Sequence, residues 1–246
     1  MSELLLDARG VVKAFPAPSR GGEPVSVLRH VSAAVAPGEM VSIVGPSGSG
    51  KSTLLYCLAG LQGYDGGRVH LLGEDLASLG RRQLAALRRN EVGFVFQSFN
   101  LIPSLNVREN IALPARLAKK RLSAEAVEDV LARVGLSGQA KNRPAQLSGG
   151  QRQRVAVARV LALQPKIVFA DEPTGSLDTL TGATVLKLLR EAARGDRGVV
   201  LVTHDLEAAA LADRVLVLRD GAIHAELRAP SPAEVFSAVA EAGITA

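Results

Sequence analysis

The sequence has no tryptophan, and Phe, Tyr and Trp together make up 3 % of it. Its core must therefore be built from Ala, Val, Leu and Ile. Too few rings remain to stack on the bases of single-stranded nucleic acid, so nucleic acid is not an expected partner. A single cysteine, Cys57, excludes an intrachain disulfide and suits a reducing compartment. It stands in the apolar run LLYCLAGL, the setting of a small core residue rather than a redox centre. No eighteen-residue window is apolar and free of charge, so no segment reads as a membrane span. The opening MSELLLDARG carries acids where a signal peptide carries bases. These absences lead us to expect a cytoplasmic protein whose membrane role comes through a partner.

What is present fits a packed protein. Hydrophobic residues supply 47 % of the 246 positions and charged ones 22 %, enough for one large domain or one domain with an inserted lobe. Lys and Arg outnumber Asp and Glu by 29 to 24, a net charge of +5. The basic runs RRQLAALRR at 81–89 and KKR at 119–121 read as solvated helix faces. Contact with anionic lipid is the lesser reading.

Along the chain, 3–15 and 25–35 read as strands, the latter as one or two, with a loop over 16–24 between them. GRVHLLG at 67–73 completes a small antiparallel sheet. Three short apolar runs, MVSIVG at 40–45, KIVFADE at 166–172 and GVVLVTHD at 198–205, have the texture of buried parallel strands. Each ends in polar residues, and open α/β sheets bind ligands beyond their carboxyl ends. From about 98 to 160 the pattern is helical. SAEAVEDVLARVGL places Ala126, Val130, Leu131 and Val134 at helical spacing behind a Ser123 N-cap. QRQRVAVARVLAL forms a second amphipathic helix, stopped by Pro165. VLVLRDGAIHAEL is a hairpin turning at Asp220–Gly221, and a tail from about 229 ends in a short helix.

The stretch GPSGSGKS, from Gly45 through Pro46, Ser47, Gly48, Ser49, Gly50 and Lys51 to Ser52, matches a phosphate-binding loop at every fixed position and is followed by Thr53. Its backbone N–H groups wrap a phosphate chain, Lys51 reaches the β- and γ-phosphates, and the Ser52 hydroxyl ligates Mg²⁺. Asp171, closing an apolar strand, suits the metal shell. Glu172 beside it suits a general base for the attacking water. Gln97 follows another apolar run and can touch the metal or that water. His204, ending its strand, suits a γ-phosphate contact. Asp178 and Asp205 can hydrogen-bond within their loops. LSGGQ sets Ser148, Gly149, Gly150 and Gln151 at a second helix mouth, away from the chain's own loop. Such a turn presents a hydroxyl and N–H groups to an anion. The economical reading is that it holds the γ-phosphate on a second copy of the chain, so that ATP joins two copies head to tail.

The order and spacing of GPSGSGKS, Gln97, LSGGQ, IVFADE, GSLD at 175–178 and His204 resemble the ATP-binding subunits of ABC transporters, over roughly residues 4–228. The resemblance implies a P-loop NTPase of the α/β class: a RecA-like core with an antiparallel β-subdomain and an inserted α-helical subdomain. The divisions would be core and β-subdomain at 1–97 and 161–228, helical subdomain at 98–160, and a C-terminal tail at 229–246. It implies ATP and Mg²⁺ as cofactors, with Phe15 stacking on adenine where tyrosine is commoner. Ser148, Gly149 and Gln151 would contact the partner's nucleotide, and Asp178 would lie in the loop that communicates across the dimer. RNEVGFVFQSFNLIPSLNVRENIALP is similar to the macrolide-efflux, lipoprotein-release and cell-division branch. There the loop with Phe99, Leu101 and Ile102 would receive a coupling helix of a separate permease. The resemblance thus implies an ATPase subunit, paired with a second copy and a permease at the cytoplasmic face of the membrane. A regulatory or mechanical ATPase module shares the same engine. A soluble cassette acting on ribosomes or DNA needs two cassettes or a long coiled coil, and the single P-loop and LSGGQ argue against it.

Overall fold

The computed structural model describes residues 4–17, 22–175 and 177–243. Residues 18–21 of the loop expected over 16–24, and Ser176 of GSLD, lie outside them. The central sheet has six strands in the order β10-β9-β3-β8-β7-β6. They are β3 (Met40–Val44), β6 (Val92–Val95), β7 (Ile167–Asp171), β8 (Gly198–Val202), β9 (Arg214–Arg219) and β10 (Ala222–Arg228). All pairs are parallel except the β9–β10 hairpin. Asp220 (φ 47°) and Gly221 (φ 77°) form its turn, the doubly left-handed geometry of a two-residue hairpin.

Every residue of β3, β7 and β8 is buried, which explains why these runs are continuously apolar rather than alternating. Alternate residues serve opposite faces. Val168, Ala170, Val199 and Leu201 enter one core and Ile167, Phe169, Val200 and Val202 the other. The second core is closed by α1 (Lys51–Leu58) and an antiparallel sheet ordered β2-β1-β4-β5, from β1 (Leu6–Phe15), β2 (Val25–Val35), β4 (Gly66–Leu71) and β5 (Glu74–Asp75). The stretch 25–35 is one strand, irregular in register near His30 (φ 53°). Cys57 is buried there, and burial pushes its thiol up to about 11.

The first core is covered by helices. Between β6 and β7 the chain forms α3 (Val107–Leu117), α4 (Ala124–Arg133), a 3₁₀ turn at Pro144–Gln146 and α5 (Gly149–Leu161). Ser123 caps α4, as its sequence predicts. Val130, Leu131 and Val134 are buried as their spacing predicts, but Val127 rather than Ala126 completes the stripe, and Ala126 is only half-buried. α2 (Arg81–Glu91) buries no residue. Lys119–Arg121 lie past α3 rather than on a helix face; Lys119 (φ 56°) breaks the helix there. α6 (Thr179–Ala192) and α7 (Leu206–Ala209) follow β7 and β8. The segment read as a tail holds α8 (Pro232–Gly243), whose Val235, Ala238 and Ala242 are buried in the first core.

Candidate nucleotide-binding site

Parallel pairing sets the carboxyl ends of β3, β8, β7 and β6 along one edge of the sheet. The Gly45–Ser52 loop leaves β3 there. Two of its glycines are sterically required. A Cβ on Gly45 (φ 147°) would sit 2.0 Å from the Leu218 carbonyl oxygen, and one on Gly50 (φ 99°) would sit 2.8 Å from that of Val27. The cradle is thus clamped between β9 and β2. The Gly221 N–H from the hairpin turn donates to Ser49 O at 3.2 Å and closes it further. Gly50 caps α1 without a side chain, so the first-turn N–H groups stay available to an anion. Lys51 Nζ donates to Gly45 O (2.9 Å) and Pro46 O (2.8 Å), and burial holds its pKa below the usual lysine range. Pro46, Ser47 and Gly48 form the outer lip, Ser49 is buried, and Thr53 is half-buried on α1.

Asp171 ends β7 and is 3 % exposed. Ser52 Oγ donates to its Oδ1 at 3.0 Å, and Tyr56 OH donates to its Oδ2 at 2.8 Å. Ser52 and Tyr56 are four apart on α1, hence on one face of the helix. The sequence pattern gave no role to Tyr56, whose ring rests against Phe94 of β6 at 5.7 Å between centroids. Burial, reinforced by the Asp171 carboxylate, pushes its phenol up to about 12, so it remains a donor.

Glu172 follows in left-handed backbone (φ 47°), its N–H bonded to Val202 O at 2.9 Å. That turn aims its carboxylate at the end of β8. His204 Nδ1 lies 2.8 Å from Glu172 Oε2 but off the axis of a hydrogen bond, so the contact is an ion pair when the ring is protonated. Gln97 lies two residues past β6, whose Val95 is paired with Ala170, and is exposed in the turn that follows the strand next to β7. Beyond it, Leu101 packs on the first core and Phe99 lies beneath the Arg152 guanidinium, while Ile102 is exposed. The loop is pinned by the buried Asn110, whose Nδ2 donates to Ile102 O, Leu105 O and Asn106 O and whose Oδ1 accepts from Ile102 N.

Phe15 ends β1 opposite Val25 of β2, two residues before the Val27 carbonyl that abuts Gly50. It is half-exposed, with Lys13 Nζ 5.3 Å from its ring centroid. Ser148 and Gln151 cap α5 reciprocally: Ser148 Oγ accepts from Gln151 N (3.2 Å) and Gln151 Oε1 accepts from Ser148 N (2.9 Å). The Ser148 hydroxyl is therefore engaged with its own helix. Gly149 and Gly150 are half-buried, and a Cβ on Gly150 would meet Leu177 at 3.2 Å. Asp178 caps α6 through Thr181, whose N–H and hydroxyl hold its carboxyl below the usual range. Asp205 caps α7. The sequence reading missed the buried Gln153, whose Nε2 donates to Pro173 O at 2.8 Å and ties α5 to the loop after Glu172.

A strand–glycine loop–helix cradle whose hydroxyl is bonded to a carboxylate at the end of a strand two places away in the sheet defines a P-loop nucleotide-binding protein. The model of the ABC transporter family matches residues 28–175. The chain is 45 % identical to the macrolide export ATP-binding/permease protein MacB of Chromobacterium violaceum, over 94 % of this chain and 36 % of that protein. It is 46 % identical to an uncharacterized ABC transporter ATP-binding protein of Mycobacterium tuberculosis, over 81 % of this chain and 61 % of that one. The chain thus spans about a third of the MacB relatives. The fold is similar to the ATP-binding cassette MJ0796, solved as a dimer in a post-hydrolysis state with ADP and Pi. The TM-score is 0.85 at 38 % identity, covering 92 % of this chain and 99 % of that one. This chain belongs to the ABC transporter family, as its ATP-binding ATPase cassette, with the mixed α/β fold and helical subdomain of that class.

Proposed function

We propose that this cassette closes as a dimer on ATP and drives a membrane permease of the export type at the cytoplasmic face of the membrane. The observation that carries the reading is the meeting of Lys51, Ser52, Asp171, Glu172 and His204 along one sheet edge. In this reading Phe15 stacks on the base, and the N–H groups of Gly45–Thr53 with Lys51 hold the phosphates. Ser52 and Asp171, two hard oxygen donors bonded to each other, fit Mg²⁺, which takes one or two protein ligands and fills its shell with phosphate and water. Gln97 joins that shell. Bound magnesium would neutralise charge on the β- and γ-phosphates. Glu172 accepts the proton of the attacking water, and His204 steers the γ-phosphate and orients Glu172.

Gly149 and Gly150 offer N–H groups to the nucleotide of the second copy, with Ser148 and Gln151 holding the turn in shape. Asp178 fixes the loop facing that copy. Leu180 beside it is an apolar side chain 82 % exposed, which suits a surface that a second copy covers. Support for dimerisation also comes from the dimeric state of the MJ0796 cassette. For the permease it comes from the MacB name and from a groove of about 310 Å³ at the end of β6. Phe94, Phe96, Asn100, Pro114, Leu117 and Arg159 line this groove. Among the described residues no helix is long and apolar enough to cross a membrane.

The test is Glu172→Gln. Removing a general base costs roughly 10²–10⁴ in rate, so turnover should nearly vanish while ATP binding persists and light scattering reports a stable dimer. Normal turnover sinks Glu172 as the base. Captured from its native membranes with ATP, this variant should bring a polytopic membrane protein with it. Recovery of soluble partners alone ends the permease reading.

A further inference from the structure

We propose that the basic surface along α2 and around the end of α3, within residues 76–123, docks directly on anionic membrane lipid. This segment holds nine Lys and Arg against two acids, Glu91 and Glu109. Its net +7 exceeds the +5 of the whole chain and leaves the remainder at −2. The asymmetry survives folding. Four of the arginines lie on α2, which buries nothing, and Arg116, Lys119, Lys120 and Arg121 cluster at and beyond the end of α3. Of the nine, only Arg108 makes an ion pair among the described residues, with Glu128 of α4.

Two recesses with no lining residue in common flank α3, one on either side of it. One, of about 420 Å³, sets Arg88 and Arg89 around Leu61 and Leu117, leucines 43 % and 61 % exposed. The other, of about 480 Å³, sets Arg108, Arg116, Lys120 and Arg121 around Ala112 and Val127. In the first recess, exposed leucines beside two arginines match a headgroup region, with phosphate at the cations and the apolar tips just beneath. The first recess shares Arg89, Phe94, Pro114 and Leu117 with the groove at the end of β6. If a permease fills that groove, this face stands beside the bilayer. The placement rests on the permease reading, but the charge and the exposed leucines do not. Glu74 and Asp75 precede this segment and Glu125, Glu128 and Asp129 of α4 follow it, but none of these acids lines either recess.

The experiment is flotation of the full chain with protein-free vesicles of phosphatidylcholine, alone or with phosphatidylglycerol, at low and high salt. No permease is present, so the result is independent of whether one exists. The expected result is flotation only with phosphatidylglycerol, abolished by high salt. Each cation near an anionic surface contributes about fivefold in partition. The combined substitution Arg81→Gln, Arg82→Gln, Lys119→Gln, Lys120→Gln should therefore weaken binding about a hundredfold or more while melting as the wild type does. The single Leu117→Gln variant, which keeps every charge, should weaken it by a smaller factor. Equal flotation of wild type and the fourfold variant overturns the proposal. So does absence of flotation with phosphatidylglycerol, which would leave the cations to an acidic protein segment.

Discussion

Replacing Tyr56 by phenylalanine isolates one hydrogen bond. The ring keeps its place against Phe94, and only the hydroxyl that donates to Asp171 Oδ2 at 2.8 Å is lost. Asp171 is almost wholly buried, so that oxygen loses a donor that water replaces poorly. Hydrogen bonds to charged groups contribute about 1.5–3 kcal/mol. Tyr56 itself is part-exposed, so the lower figure applies, close to the 1.4 kcal/mol that makes a factor of ten. If Asp171 holds Mg²⁺, its carboxylate then rotates more freely, and the Mg²⁺ concentration needed for half-maximal binding of a fluorescent ATP analogue should rise about tenfold. Metal-free nucleotide binding should stay within twofold. The melting temperature should fall by about 2–4 °C per kcal/mol lost. A pH signature accompanies it. The Tyr56 phenol titrates at about 12 when folded, above its ordinary 10. Its contribution is therefore full below pH 10 and lost as the pH climbs to 12, a slope absent from Tyr56→Phe. Unchanged Mg²⁺ dependence together with an unchanged melting temperature would refute the positioning role.

Two further outcomes test the lobe. Ser148→Arg keeps the chain's own cradle but sets a long cation at the mouth of α5. Nucleotide binding by the monomer should persist, while ATP-dependent dimerisation and ATPase activity fall together; intact activity would remove LSGGQ from the shared site. Gln153→Leu withdraws the donor from Pro173 O, but it also removes Gln153 Oε1, a buried acceptor without a partner among the described residues. The two effects oppose each other, so stability should move by no more than about 1–2 kcal/mol. Amide exchange at residues 173–177 should nonetheless accelerate severalfold. Unchanged exchange would show that the loop is held by other contacts.

The buried strands were legible because burial on both faces demands continuous Val, Ile and Leu, a pattern that solvent-facing strands lack. The cradle was legible because its glycines answer to backbone geometry, and Leu218 O and Val27 O supply the steric reason. The hairpin at Asp220–Gly221 was legible for the same reason. Tyr56 was not, since its partner Asp171 is 115 residues away and only β7 beside α1 brings them together. One residue of the α4 stripe was misread, because Ala126 and Val127 are both apolar and only tertiary packing chooses between them. The segment past 229 looked like a tail because its Ala-rich helix has few large side chains. β9 and α7 offer it a shallow surface that small residues fit.

The helix α5 touches three places at once. Its first residue follows Ser148, its Gln153 grips Pro173 O, and its Arg159 donates to Asn100 O at 2.6 Å and Phe99 O at 3.1 Å. Gln153 and Arg159 stand six residues apart, about 9 Å along the axis. A rod of about 20 Å gripped about a third of the way along and again near its far end can act as a lever. A load applied at the Ser148 end would reach the carbonyls beyond Gln97 and the loop beyond Glu172 through the same helix. Timing between the two loops then needs no signal relay, because both hang from one beam.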